Sequence, residues 1–206
     1  MTDSGLLRAF IDRTARKPEG RWARKSYRNP RAHQRSFRLI MEALRLNDND
    51  IYCEIGCGGG ALLTMAMAKA KRGAAIDHSR EMVEVAMENN RRAVEEGRLE
   101  ILQGNAERLP WESGSFTACA SANMFFFVEN PGAMLSEVFR VLKPGGRFSM
   151  VTMGNGLLGK ITFGWLYSLR TYSDSQMASM LRSAGFSEIR VKSTMGLMQA
   201  CYGTKA

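Results

Sequence analysis

Histidine is scarce in this chain, with 2 among 206 residues, and the 4 cysteines nowhere form a C-x-x-C pair. Cys53 and Cys57 are the nearest two, and the chain would have to bend between strand and loop for them to share an ion. No metal site is therefore expected. Two of the four, with Cys119 and Cys201 completing the set, fall on apolar, strand-like runs, so they read as reduced core thiols and imply a cytoplasmic setting. No segment reaches the roughly 18 apolar residues that would span a bilayer. The longest uncharged run, residues 113–128, contains a Gly114-Ser115 turn and Asn123, and reads as a buried strand with its following loop. Met1-Thr2-Asp3-Ser4-Gly5 leads into no long apolar stretch, so no secretory signal is expected.

Negative charge is short at one end only. The first 46 residues carry 12 Lys and Arg against 4 Asp and Glu, whereas the remainder carries 17 against 16. The net charge of +9 therefore belongs to an arm and not to the body. Hydrophobic content of 45% over this length suits one substantial core, so a single domain with decorations is expected. In the arm, Leu6, Leu7, Phe10 and Ile11 share one helical face, and Thr14 to Arg38 is basic with Trp22, Tyr27 and His33 interleaved. Phe37, Ile40, Met41 and Leu44 mark a second helix. We read residues 1–46 as a basic helical cap over a ligand site. Contact with nucleic acid is weighed below a lid or an acidic or lipid-like substrate, because no nucleic-acid module is matched.

The body is organised around Ile51-Tyr52-Cys53-Glu54-Ile55-Gly56-Cys57-Gly58-Gly59-Gly60-Ala61-Leu62. An apolar strand reaches an acidic residue, passes four glycines in five positions, and enters a helix-forming run. Glycine permits the tight turn and lets a ligand reach the N–H groups at the helix start. Read as Gly56-x-Gly58-x-x-Ala61, the stretch fits a dinucleotide fingerprint with a pyrophosphate on the helix. Glu54 two residues before the first glycine repels a pyrophosphate and suits a cation. Downstream, residues 72–77 read as a second strand ending in Asp77, placed to meet a ribose. Ser79 caps a helix whose buried stripe is expected to be Met82, Val83, Ala86 and Met87. Strands follow at residues 99–104, 118–121 and 147–152, with a helix opened by Asn130-Pro131 whose buried face runs through Met134, Leu135, Val138, Phe139 and Leu142. A last helix has Met177, Met180 and Leu181 inward, followed by two short strands that a tight turn makes antiparallel.

Four motifs in register resemble the class I S-adenosylmethionine (AdoMet)-dependent methyltransferases, particularly the small-molecule, type 11-like group that includes quinone-pathway enzymes. They are Glu54-x-Gly56-x-Gly58-x-Gly60, the acidic Asp77, Gly104-Asn105-Ala106-Glu107 with Leu109-Pro110 and Ser115-Phe116, and Leu142-Lys143-Pro144-Gly145-Gly146, which resembles the family's turn into the fifth strand. The resemblance implies an α/β, Rossmann-like sheet of seven strands in the order 3-2-1-4-5-7-6, strand 7 antiparallel, with helices on both faces and residues 47–206 as the AdoMet-binding core. It implies Glu54 near the amino acid part of AdoMet, with Gly56, Gly58 and Gly60 around it, Asp77 with His78 at the ribose, Asn105 and Ala106 at the adenine, and Ser121 on the cofactor side. The family usually has Asp where Asn105 stands, and an amide oxygen can accept the same bond.

Methyl transfer by in-line displacement onto an O, C or N acceptor follows from that resemblance, with positioning and desolvation doing much of the catalysis. The acceptor is expected over the strand ends, where Asn123 can orient it and Phe125 or Phe126 can wall the pocket. His33 and Tyr27 are the candidate bases. Residues 154–172, rich in Leu, Phe and Trp with only Lys160 and Arg170 charged, can form a second lid, pair with another subunit or rest on a membrane surface. The acceptor is expected to be a small apolar or acidic molecule. Readings of another class are an AdoMet-binding module without catalysis, an RNA-modifying methyltransferase, and an NAD-dependent oxidoreductase.

Overall fold

Short apolar runs ending in glycine or a carboxylate alternate with amphipathic helices, and such a chain buries its strands by pairing them into one sheet covered on both faces. The computed structural model describes residues 31–155, 170–194 and 197–206. A 3-10 turn (Arg31–His33) leads into α1 (Gln34–Leu44), then β1 (Ile51–Ile55), α2 (Ala61–Met67), β2 (Arg72–Asp77), α3 (Arg80–Asn89), α4 (Arg91–Glu95) and β3 (Leu99–Gln103). After these come β4 (Phe116–Ala122), a 3-10 turn (Phe125–Phe127), α5 (Pro131–Val141), β5 (Leu142–Met153), α6 (Asp174–Ser183), β6 (Ser187–Thr194) and β7 (Met198–Thr204). The sheet order is β3-β2-β1-β4-β5-β7-β6, with β7 antiparallel to both neighbours and the other pairs parallel. This is the arrangement expected from the motifs.

Strand period sorts the core into two layers. Tyr52, Ala75, Ala118 and Ala120 face α1, α2 and α3, where Phe37, Ile40, Leu63, Ala66, Val83 and Ala86 meet them. Cys53, Ile55, Ile76, Cys119, Phe148 and Met150 face the other way, onto Leu135, Val138, Met177 and Leu181 of α5 and α6. All four cysteines are buried and free, as core thiols should be. Helix α1 is thus part of the sheet's cover. The remainder of the arm, with Tyr27, lies outside the described residues, as do residues 156–169 of the apolar insertion.

Two expectations are corrected. Met87 is 39% exposed, while Val85 is buried in its place. The stripe of α3 is centred between Met82 and Ala86, and 3.6 residues per turn carry Met87 round its edge. On β5, pairing already starts at Leu142, opposite Phe116, and resumes at Arg147 opposite Ala118. The Lys143-Pro144-Gly145-Gly146 segment is therefore a bulge inside the strand and not a turn ahead of it. Its Gly145 has φ 75° and donates its N–H to the Lys205 carbonyl at 2.7 Å, tying the bulge to the end of β7.

Away from the strand ends that carry the glycine turn, one buried carboxylate ties three elements together. Asp50 accepts from Arg147 Nη2 at 2.6 Å and from Thr117 Oγ1 at 2.6 Å on one oxygen, and from the Asn47 N–H at 2.9 Å on the other. Arg147 is about a quarter exposed and Asp50 only 5% exposed. Removing one partner leaves the other charge partly desolvated, and this is the costly half of a buried pair. Asp50→Ala should lower unfolding stability by about 3 kcal/mol, and the double variant Asp50→Ala with Arg147→Met should recover much of it. Urea denaturation midpoints of the three proteins check this.

Candidate ligand site at the strand ends

The turn after β1 is built by the backbone. Gly56 and Cys57 donate their N–H groups to the Ile76 carbonyl at 2.8 and 3.2 Å, so the turn is pinned to β2 before α2 begins. Asp77, at the end of β2, accepts from the Gly58 N–H at 2.8 Å and from the Ser79 N–H at 2.9 Å, and thereby locks two turns together. Asn90 supports the turn from behind, donating to the Gly60 carbonyl at 3.1 Å and accepting from Thr64 Oγ1 at 3.0 Å. At Gly56, φ is 73° and an added Cβ would lie 2.6 Å from Met124 Cγ. At Gly60, φ is 76° and a Cβ would lie 2.6 Å from Asn90 Nδ2. Neither position tolerates a side chain.

These ends open onto a cavity of about 820 Å³. Of the residues singled out from the sequence, Glu54, Gly56, Gly58, Asp77, His78, Asn105, Ala106, Asn123 and His33 all line it. Two do not. Gly60 faces α3, and Ser121 is wholly buried in β4 beside Met150 of β5, its Oγ without a partner among the described residues. Phe125 and Phe126 are also absent from the lining, and Phe127 takes the place expected for one of them. The three form one 3-10 turn, whose three residues per turn send each ring a different way. Phe125 is buried in the core near Tyr172. The sequence reading missed Phe37, Met82, Gln103, Met124, Val128 and Glu129. Gln103 ends β3 opposite Asp77 and Gly104 follows it at the same edge, a signal that the strand reading already offered. Phe37 shares its helix face with core residues and gave no such signal.

The wall beyond β4 is held by side chains from distant segments. Asn123 has φ 56°, unusual for a residue with a Cβ, and its N–H bonds the Val151 carbonyl at 2.8 Å. Its Oδ1 accepts from Ser36 Oγ of α1 at 3.3 Å, and its buried Nδ2 has no partner among the described residues. Arg170 donates to the carbonyls of Val128, at 3.2 Å, and Glu129. Glu107 accepts from the Asn130 N–H at 2.8 Å, and Glu137 of α5 accepts from the Leu109 N–H at 2.7 Å, so the loop after β3 is clasped to α5. Arg140 reinforces the clasp through the Trp111 and Leu109 carbonyls.

Four carboxylates line the cavity, from Glu54, Asp77, Glu107 and Glu129, and no Lys or Arg does so among the described residues. Glu54 is 2% exposed, and its one hydrogen-bond donor among the described contacts is the hydroxyl of Tyr52 at 3.1 Å. Burial, with the Asp77 charge adding to it, pushes the Glu54 carboxyl up to about 8 against the opposing pull of the Tyr52 bond. Burial also raises the Cys57 thiol and lowers the His33 imidazole, which leaves both neutral at physiological pH. These acidic side chains act as acceptors and suit a ligand carrying positive charge and hydroxyls; they offer no counter-charge to a pyrophosphate. Among the described residues no cluster suited to a metal occurs.

The Glu54 geometry generates a stability signature. Between the ordinary carboxyl value of 4.5 and about 8, the folded chain keeps a proton that the unfolded chain has lost. Stability therefore falls as pH rises through that window. The fall should amount to at most roughly 4 kcal/mol. Glu54→Gln should remove this component, and denaturant titrations near pH 5 and pH 8 compare the two proteins.

Residues 53–150 match a methyltransferase domain family, Methyltransf_11. The chain is 32% identical over 155 residues to a ubiquinone/menaquinone biosynthesis C-methyltransferase, UbiE, of Rhizobium johnstonii, the match covering 62% of this chain and 59% of that protein. It spans from about a third to about three fifths of the length of the curated relatives it matches first. Among solved structures, it superposes on a Haemonchus contortus phosphoethanolamine N-methyltransferase 2 bound to S-adenosylhomocysteine with a TM-score of 0.77, at 16% identity, covering 97% of this chain and 60% of that one. A SAM-dependent methyltransferase from Aquifex aeolicus gives 0.71 at 21% identity, with 89% and 97% covered. Residues 53–150 thus carry a methyltransferase domain match, and motifs, strand order and relatives together support a class I AdoMet-dependent methyltransferase with AdoMet as cofactor.

Proposed function

We propose that the protein methylates a small, predominantly apolar acceptor by in-line displacement. The observation that carries this reading is the single cavity in which the glycine turn, Glu54 and Asp77 adjoin a wall of Phe37, Met124, Phe127 and Val128. When bound, AdoMet supplies a methyl group activated by a positively charged sulfur. The chain's own part is to bind and orient. Glu54 offers the counter-charge for the amino acid portion. Asp77 has lone pairs left, beyond those used by the Gly58 and Ser79 N–H groups, for ribose hydroxyls. Asn105 and Ala106 flank the adenine, and Gly56 and Gly58 leave room for close approach to the backbone.

On the acceptor side, apolar walls exclude water and so raise the reactivity of a desolvated nucleophile. The acidic alternative is disfavoured, since Glu107 and Glu129 would repel an anion and the lining holds no counter-charge among the described residues. Asn123 orients the acceptor. His33, kept neutral by burial, is the proton acceptor for an OH or carbon acid. The relative named as a C-methyltransferase gives reason to test carbon acceptors first. Described residues contain no helix long and apolar enough to cross a membrane, so an apolar acceptor would be met from the aqueous side or at a membrane surface.

Calorimetric titration tests the reading. AdoMet and S-adenosylhomocysteine should bind saturably and NAD should not. Asp77→Ala should weaken both by roughly 10- to 100-fold, because it removes a charged acceptor and unties Gly58 from Ser79. Incubation with quinol, phenol and amine panels should release S-adenosylhomocysteine with one class. Binding without turnover on any acceptor would mark a non-catalytic module, and NAD binding in place of AdoMet would overturn the assignment.

A further inference from the structure

Glu54 sits in β1 with Ala75 of β2 and Ala120 of β4 as its lateral partners, so no polar side chain flanks it within the sheet. Tyr52, two residues earlier on the same face, is wholly buried and does not line the cavity. Its hydroxyl reaches Glu54 Oε2 at 3.1 Å. The titratable groups around this pair are Cys53 on β1, Cys57 in the glycine turn, Asp77 at the end of β2 and Cys119 on β4, with His33 before α1 and half-exposed His78 also lining the cavity. None of these supplies a permanent cation. A carboxylate so placed is stable without its proton only when a positive charge enters beside it.

We propose that Tyr52 is a positioning residue and that the Tyr52–Glu54 pair anchors the α-ammonium group of the cofactor by proton exchange, Glu54 releasing one proton to solvent as the cation enters. This rests on the AdoMet reading above. The charge count inside the cavity rises by one with the ammonium group and falls by one with the departing proton. The hydroxyl of Tyr52 stays a donor throughout: it bonds the neutral acid in the free protein and the carboxylate in the complex, where the bond is stronger. Burial pushes the phenol well above its ordinary range, so it does not itself titrate. The free cavity thereby avoids a buried naked charge. The filled one gains a paired charge.

The test is calorimetry of the full chain with AdoMet and with S-adenosylhomocysteine, in phosphate and in Tris, at about pH 6, 7 and 8. The dependence of observed heat on buffer ionisation enthalpy counts the protons released. Wild type should release close to one proton below the plateau, with affinity improving roughly tenfold per pH unit until it levels off. Glu54→Gln should release none and bind with a flat pH profile. Tyr52→Phe should bind roughly tenfold more weakly and should move the levelling-off to higher pH, since the carboxylate has lost its donor. A packing role alone would weaken binding without moving that pH. Should Tyr52→Phe fail to fold, the proton counts of wild type and Glu54→Gln still decide the exchange. AdoMet binding without proton release in wild type would overturn the inference alone, whereas no AdoMet binding at any pH would overturn the cofactor reading with it.

Discussion

The carboxylate of Asp77 holds the site together by accepting two backbone N–H groups, one from Gly58 in the turn after β1 and one from Ser79 ahead of α3. Each turn alone would be a short glycine- or serine-bearing loop with orphan donors. Joined through one buried anion, they become a rigid edge along the cavity with those donors satisfied. The Gly104 N–H adds a third strand to the same knot by bonding the Asp77 carbonyl at 2.9 Å. The ends of β1, β2 and β3 are thus fixed relative to one another to within hydrogen-bond tolerance.

Such an edge is expensive in negative charge. Asp77 is satisfied by amides, whereas Glu54, with only a phenol among its described partners, keeps its proton until a cation enters, and both acids face one cavity. A dinucleotide would add two phosphates to this and find no cation among the described lining residues. The same arithmetic that disfavours a pyrophosphate favours a sulfonium and an ammonium group. The preference for AdoMet over NAD thus follows from electrostatics that the glycine spacing alone leaves open, since Gly56, Gly58 and Ala61 would serve either ligand.

The cofactor half was legible because its signals are local. Glu54 and the glycines occupy seven consecutive positions, Asp77 ends a strand, and Asn105 and Ala106 follow another. Strand order was legible through the motifs that accompany it. What escaped was set by three-dimensional packing. Whether Ser121 or Ala122 faces the cavity depends on where β4 ends, and alternation over a run of small residues, Ala118 to Ala122, gives no contrast to fix that point. Phe125, Phe126 and Phe127 look equivalent in a row, and only the 3-10 turn separates the core ring from the wall ring. Met87 looked apolar and periodic, yet sits a fraction of a turn beyond the contact stripe. The bulge in β5 was read as a turn because Pro-Gly-Gly usually ends an element, and here the end of β7 captures it instead.

The two halves of the cavity differ in how they are held. On the cofactor side, main-chain N–H groups set the turns against the Ile76 carbonyl and the Asp77 carboxylate, so the geometry is sensitive to the side chains of Asp77 and Asn90 and to Cβ atoms at the glycines. On the acceptor side, position comes from side chains reaching across long sequence separations: Ser36 to Asn123, and Arg170 to the carbonyls of Val128 and Glu129. Such contacts can be exchanged one at a time without loosening the Asp77 knot, because none of them shares an atom with it. A single scaffold can then keep one cofactor while its acceptor wall drifts. Under the proposed function, cofactor binding would therefore be assigned to the glycine turn and its carboxylates, and the choice of acceptor to α1, the aromatic turn after β4 and the residues that pin them.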